Sequence, residues 1–272
     1  MATNRIGFKQ FKNKIQLGQD IALVVDSNIL IAYYDEIHSH HELVHEFLTA
    51  IDKKANVTFY TTVTTKAEFL DYQRRRFLTE GLLDIVDECS ESVSLNPVAK
   101  ASIVAAKARR NKRQKDESGR SQENPEYDFD VKITYFSDSE IKEIKKKFRA
   151  RDIENETGWL KVCDTFLKSK LLEQETYIDE FCSYLSPHRP EQADLFINKS
   201  VDWKKATAIS GESGMGFSDS LILNMLLHTK IDYILTLDFD MVYAAAVSAQ
   251  NKWVVLPDDR INSFKAILKG LQ

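Results

Sequence analysis

Four short apolar runs constrain this chain more than any other feature. They are "IALVV" (21–25), "NVTFYTTV" (56–63), "DYILTL" (232–237) and "KWVVLP" (252–257). Each is rich in β-branched or aromatic residues and has the length of a buried strand. The segments between them carry a different period. "HHELVHEFLTAI" repeats Leu43, Val44, Phe47, Leu48 and Ile51 as one helical stripe. "TTKAEFLDYQRRRFL", "SDSLILNMLLHT", "DMVYAAAVSA" and "INSFKAILKGL" also read as helices, with Ser218 as the expected N-cap of the second. Strands alternating with helices predict an α/β layer with a mostly parallel sheet.

The rhythm breaks between 95 and 205. That stretch has no strand series and reads mostly helical, as in "DSEIKEIKKKFRARD" and "WLKVCDTFLKSKLLEQETYIDEFCSYL". The polar "DESGRSQENPEYDFD" within it predicts a loop. The expected organisation is therefore a basic extension at 1–20, an α/β domain from 21–94 and 206–272, and a helical insert at 95–205. No internal repeat is found. The formal net charge of −4 means that any nucleic-acid contact must rest on local basic patches. Three cysteines without metal-ligand spacing predict reduced thiols in a cytoplasmic protein. Neither a signal peptide nor a membrane span is read from the chain.

Ligands of a parallel sheet bind beyond the carboxyl ends of its strands. Asp26 and Asp238 stand at such ends. Asp219 opens a helix, and Glu68 lies in the helix after the second strand. Each has an ordinary structural explanation. Asp26 and Asp238 can cap the helices that follow, Asp219 suits a helix dipole, and Thr65–Glu68 has the capping-box spacing. Four acids on four elements at one sheet edge carry more weight together. Two like charges about 4 Å apart cost roughly 4 kcal/mol at an effective dielectric near 20. A converging cluster therefore calls for a proton or a cation. All-oxygen ligands suit Mg²⁺ or Mn²⁺.

With these residues in view, the chain resembles the PIN-domain nucleases. "VVDSNILIAYY" is similar to the family's first motif and "TTVTTKAEFLDYQRR" to its second. "GFSDSLILNMLLHTKIDYILTLDFDMV" is similar to the third and fourth joined. The resemblance covers about 20–90 and 205–260. It implies Asp26, Glu68, Asp219 and Asp238 as catalytic, metal-binding acids, with Asn28, Ser218, Thr236 and Asp240 in support. It further implies a sandwich of helices around a short parallel sheet, and Mg²⁺- or Mn²⁺-dependent endonucleolytic cleavage of RNA, in which metal-activated water attacks the phosphodiester. Homodimerisation and an antitoxin or other regulatory protein are further expectations of the family. Toxin-type members have a much shorter segment between the second and third acids and begin near the first strand.

Several other features carry two readings each. "KASIVAAKARRNKRQK" is basic throughout, and Lys107, Arg109, Arg110, Lys112 and Arg113 are candidates for RNA contact or for a solvated arm. Arg74, Arg75 and Arg76 follow Glu68 and could hold the scissile strand or simply coat a surface helix. Tyr127 and Phe129 offer base stacking or packing against the insert. His41 and His45 have zinc-helix spacing but lack a third ligand, so a polar helix start is preferred. "SGESGMGFS" fits neither a phosphate loop nor a dinucleotide fingerprint and reads as a connection. Two other functions compete. A HAD-like phosphatase would want Asp-x-Asp where Asp26-Ser27-Asn28 stands. A non-catalytic RNA-binding or complex-forming module would keep the fold without the reaction.

Overall fold

The computed structural model describes residues 5–87, 94–123, 131–154, 156–198, 202–248 and 251–261. Six strands form one sheet: β1 (Arg5–Gly7), β2 (Asp20–Val25), β3 (Asn56–Thr61), β4 (Ser183–Tyr184), β5 (Tyr233–Leu235) and β6 (Trp253–Leu256). Their order is β1-β6-β5-β2-β3-β4, and every pairing is parallel. The helices are α1 (Phe8–Lys14), α2 (Ser27–Tyr34), α3 (His41–Asp52), α4 (Val63–Asp87), α5 (Pro97–Glu123), α6 (Asp138–Lys145), α7 (Trp159–Cys163), α8 (Ser169–Phe181), α9 (Trp203–Ser213), α10 (Phe217–Leu227) and α11 (Asp240–Ser248). No helix among the described residues is long and apolar enough to cross a membrane.

Two compact units divide the chain: Met1–Phe69 with Ile178–Gln272, and Leu70–Tyr177. The first holds the sheet. Its central strands β2, β5 and β6 are largely buried on both faces, as a parallel sheet requires. Val24, Ile234, Val254 and Leu256 pack with Ile222, Leu223 and Leu226 of α10 and Met241 and Ala245 of α11. Alternate residues point the other way. There the Phe11 ring meets Tyr233 edge-on, and Phe8 stacks on Phe47 of α3 with centroids 3.9 Å apart. The sheet is thus a middle layer between two helical layers.

Residues 5–20 differ from the expected extension. Arg5–Gly7 pairs with β6 as an edge strand, and α1 buries Phe8 and Phe11. The lysines of this segment misled because they mark only its outer face. Lys12 and Lys14 lie in the last turn of α1, where cations suit the helix dipole.

The second unit also differs in its limits from the expected insert. α4 is one helix of 25 residues. Its later part buries Leu78, Leu82 and Ile85 with Ile103 and Ala106 of α5, Ile141 and Ile144 of α6, and Trp159 and Val162 of α7. Loss of strand rhythm therefore overestimated how far the first unit runs along α4. It also missed the return at 178–185, where Cys182 and Leu185 are buried and Ser183–Tyr184 extends the sheet. The expected loop at 116–130 is helical as far as Glu123. Tyr127 and Phe129 lie outside the described residues, as does the closing helix beyond Ile261.

Candidate metal centre

From β2 the chain steps to β3 and β4 on one side, then returns to β5 and β6 on the other. The crevice between the ends of β2 and β5 is therefore the topological switch point, where such sheets build sites. Asp26 follows β2 directly and is 1% exposed. It is the N-cap of α2, its Oδ1 accepting the Ser27 amide at 2.6 Å. Its Oδ2 accepts Asn28 Nδ2 at 2.9 Å and Thr236 Oγ1 at 2.6 Å. The Asn28 Oδ1 in turn accepts the Leu237 amide, and Thr236 Oγ1 accepts the Asp238 amide. Asn28 and Thr236, both expected as supporting residues, thus fasten the turn after β2 to the turn after β5.

Glu68 does not close a capping box. α4 begins at Val63, and Thr62 Oγ1 accepts the Thr65 amide instead. Glu68 Oε2 accepts the Ser27 hydroxyl at 2.8 Å. Asp219 lies in the first turn of α10, whose N-cap is Gly216. Ser218, expected as that cap, is inside the helix. A Cβ built at Gly216 would lie 2.9 Å from Asp219 Oδ2, so only glycine leaves that carboxylate its place. The preceding Gly214 takes φ +74° and ends α9, which shows that the expected connection "SGESGMGFS" is a helix end and a tight turn.

Asp26, Glu68 and Asp219 each offer an oxygen, and these three atoms lie within 4.8 Å of one another. Asp238 stands outside this triad. Its Oδ1 accepts the Asp240 amide at the start of α11, and its charge acts on Asp26. Three of the four expected acids thus converge, and the fourth adds its charge at the same edge. Asp240 belongs to the same edge, its carboxyl pushed above the usual range by burial and then by Asp238. Burial pushes the Asp26 carboxyl up to about 6, against the bonds from Thr236 and Ser27, while Asp238 and Glu68 add to the rise. Negative charge is thus strained at this point, and three hard oxygen donors can hold a metal ion there.

The basic candidates are engaged elsewhere. Arg74 pairs with Asp71 and Asp138, Arg75 with Asp71, and Arg76 with Glu80. In α5, Lys107 pairs with Asp87, Arg109 with Glu140 and Glu143, and Arg110 donates to the Thr134 carbonyl. Arg113 grips Glu140 with two bonds of 2.8 Å. These side chains make ion pairs and hydrogen bonds within the second unit. Lys112 is exposed on the same helix. His41 meets the Ala32 carbonyl and His45 stacks on Tyr33, in keeping with a structural helix start.

Sequence reasoning passed over Ser27 as a mere small polar residue. Its hydroxyl is what joins two of the acids, and the signal was its place between Asp26 and Asn28. Comparison with protein-family models, curated proteins and solved structures yields no match for this chain.

Proposed function

We propose that the protein is a metal-dependent endoribonuclease of PIN-like architecture, with Asp26, Glu68 and Asp219 holding Mg²⁺ or Mn²⁺. The observation that carries this reading is the meeting of three carboxylates from β2, α4 and α10 at one sheet edge. Residues separated this widely in sequence gain nothing for stability from mutual repulsion, so a compensating cation is the economical account. The donor set supports a hard divalent ion: all oxygen, no histidine or thiol, with Asp26 buried and its charge disfavoured. When bound, such an ion supplies charge stabilisation at a scissile phosphate and activation of water.

The chain's own part is positional. Thr236 and Asn28 aim the Asp26 carboxylate, and Ser27 sets the Glu68 rotamer. Gly216 lets Asp219 approach. Asp238 raises the local negative potential, which favours a cation and disfavours a bare phosphate. RNA, rather than a small phosphate ester, is supported by the motif order around these acids. Asn28 stands where a HAD-like phosphatase would carry its second aspartate, and its amide is committed to Asp26 and Thr236. Homodimerisation and an antitoxin-like regulator belong to the same reading.

The test is cleavage of a fluorogenic single-stranded RNA in Mn²⁺, with EDTA and Asp26→Asn as controls. Metal-dependent cleavage lost in both controls is expected. Hydrolysis of p-nitrophenyl phosphate without RNA cleavage would replace the reading with a phosphatase. Salt-sensitive RNA binding without cleavage would replace it with a binding module.

A further inference from the structure

The second unit holds a cleft of its own. It has a volume of about 500 Å³, within the range of small-molecule sites. Every lining residue belongs to that unit. Leu78 of α4, Ile141 of α6, Trp159 of α7 and Leu167 supply the apolar lining. Leu167 lies in Asp164–Lys168, five residues wound as a π-helix between α7 and α8. Such turns are rare, and they are frequent at functional sites. This one is fixed in place, because the Phe166 ring rests where Gly81 of α4 has no side chain: a Cβ there would lie 2.4 Å from Phe166 Cγ. Charge divides around the cleft. Arg74 and Asp138, both in the lining, pair with each other. Glu140 and Glu143 of α6 are held by Arg113 and Arg109. Lys142 and Lys145 also line the cleft, are exposed, and have no ion pair among the described residues. They lie in the last turn of α6, whose dipole offers only about half a charge against two. Burial pushes the thiol of Cys163, another lining residue, up, and the Lys145 charge opposes the rise, so the ammonium is felt inside the cleft.

We propose that this cleft binds a small amphipathic anion, with its acidic head at Lys142 and Lys145 and its apolar body along Leu78, Ile141, Trp159 and Leu167. Three observations select that occupant. The apolar lining disfavours a wholly polar ligand, whose groups would lose water without gaining partners. The two unpaired cations repel a positive head and give a neutral one no Coulomb attraction. The volume is too small for a docked helix, since a cylinder about 10 Å across fills it in about one turn. A carboxylate and a phosphate monoester share the chemistry required, an oxyanion that accepts from paired ammonium groups. The inference stands apart from the nuclease reading, because no lining residue belongs to the acid cluster.

The experiment is isothermal titration calorimetry of the full chain with dodecanoate, dodecyl phosphate and dodecyltrimethylammonium, each below its micelle concentration. EDTA is present so that no divalent soap forms. At least one of the two anions is expected to bind at a single site, and the tighter of them names the head group. Lys142→Gln combined with Lys145→Gln should weaken that binding roughly tenfold, the scale of two partly screened ion pairs. Lys142→Arg with Lys145→Arg should restore most of it. Both side chains are exposed, so the melting temperature should not change with the affinity. Location is read separately, at the free thiol of Cys163. The bound anion should slow its labelling by N-ethylmaleimide severalfold, followed by peptide mass spectrometry, and the glutamine variant should lose that protection. Absence of binding by both anions would overturn the proposal. So would equal affinity for the cationic amphiphile, or wild-type affinity in the glutamine variant. Cleavage of RNA, present or absent, leaves each of these results untouched.

Discussion

Asp26 gives the metal-free protein an unusual dependence on pH. Its carboxyl is lifted from an ordinary 3.8 to about 6, chiefly by burial. The folded state therefore holds a proton that the unfolded chain gives up. Stability from this group is complete below pH about 4 and is lost as pH rises towards and through about 6. The gap between 3.8 and about 6 is worth about 3 kcal/mol. Asp26→Asn removes the titration. It also turns an amide donor towards Asn28 Nδ2, 2.9 Å from the present oxygen, and so adds a cost of about 1–3 kcal/mol. That cost does not vary with pH. Urea denaturation in EDTA at a series of pH values separates the two effects. The wild type should lose about 3 kcal/mol relative to the variant on going from pH 4 to pH 7. Parallel curves for the two proteins would refute the reasoning, because they would mean that the Asp26 carboxyl titrates alike in both states.

Other predictions concern both units. Saturating Mn²⁺ at neutral pH should stabilise the wild type by about 2.7 kcal/mol at a hundredfold excess over Kd, read by thermal melting, and should do less for Glu68→Gln. Phe11→Ala should cost about 3–5 kcal/mol in urea denaturation, since the ring is fully buried beneath Tyr233 and Phe47. Arg113→Ala should cost about 3 kcal/mol by leaving the buried Glu140 carboxylate short of its main partner. Arg113, Ser137 and the Ser137 amide overcome burial and hold the Glu140 carboxyl down at about 2. Its contribution is present above pH about 4.5 and lost as pH falls towards 2, the opposite sense to Asp26, which hydrogen exchange resolved by unit should show.

The parallel sheet was legible because four buried strands leave a period that nothing else imitates. The runs at 21–25 and 56–63 emerged as strands at 20–25 and 56–61, within two residues of their expected limits, since their neighbours change abruptly to polar or helical patterns. β1 was hidden by its brevity, for three residues next to lysines carry no period. β4 has two residues and exists only because β3 offers an unpaired edge. The acids themselves were readable, but their division into three that converge and one that flanks was not. Asp238 instead makes an Asx-type bond to the Asp240 amide, a local arrangement that strand and helix patterns do not encode. The ion pairs of the arginines were not legible either. A basic run shows its charge but not the acids of other helices placed beside it, as Glu140 and Asp138 are. The cleft of the second unit was hidden as well, because its lining comes from α4, α6 and α7 and meets only when those helices pack.

The hydrogen at Cα of Gly216 has a further consequence. Its φ of −54° suits any residue, so backbone geometry does not demand glycine there. Alanine would fold, and its methyl group would be accommodated by swinging the mobile tip of Asp219 aside. The fold would survive with one of its three converging carboxylates turned away. On the proposed metal reading, such a protein would keep its shape and lose its hold on the ion, which makes this position a separator of shape from chemistry.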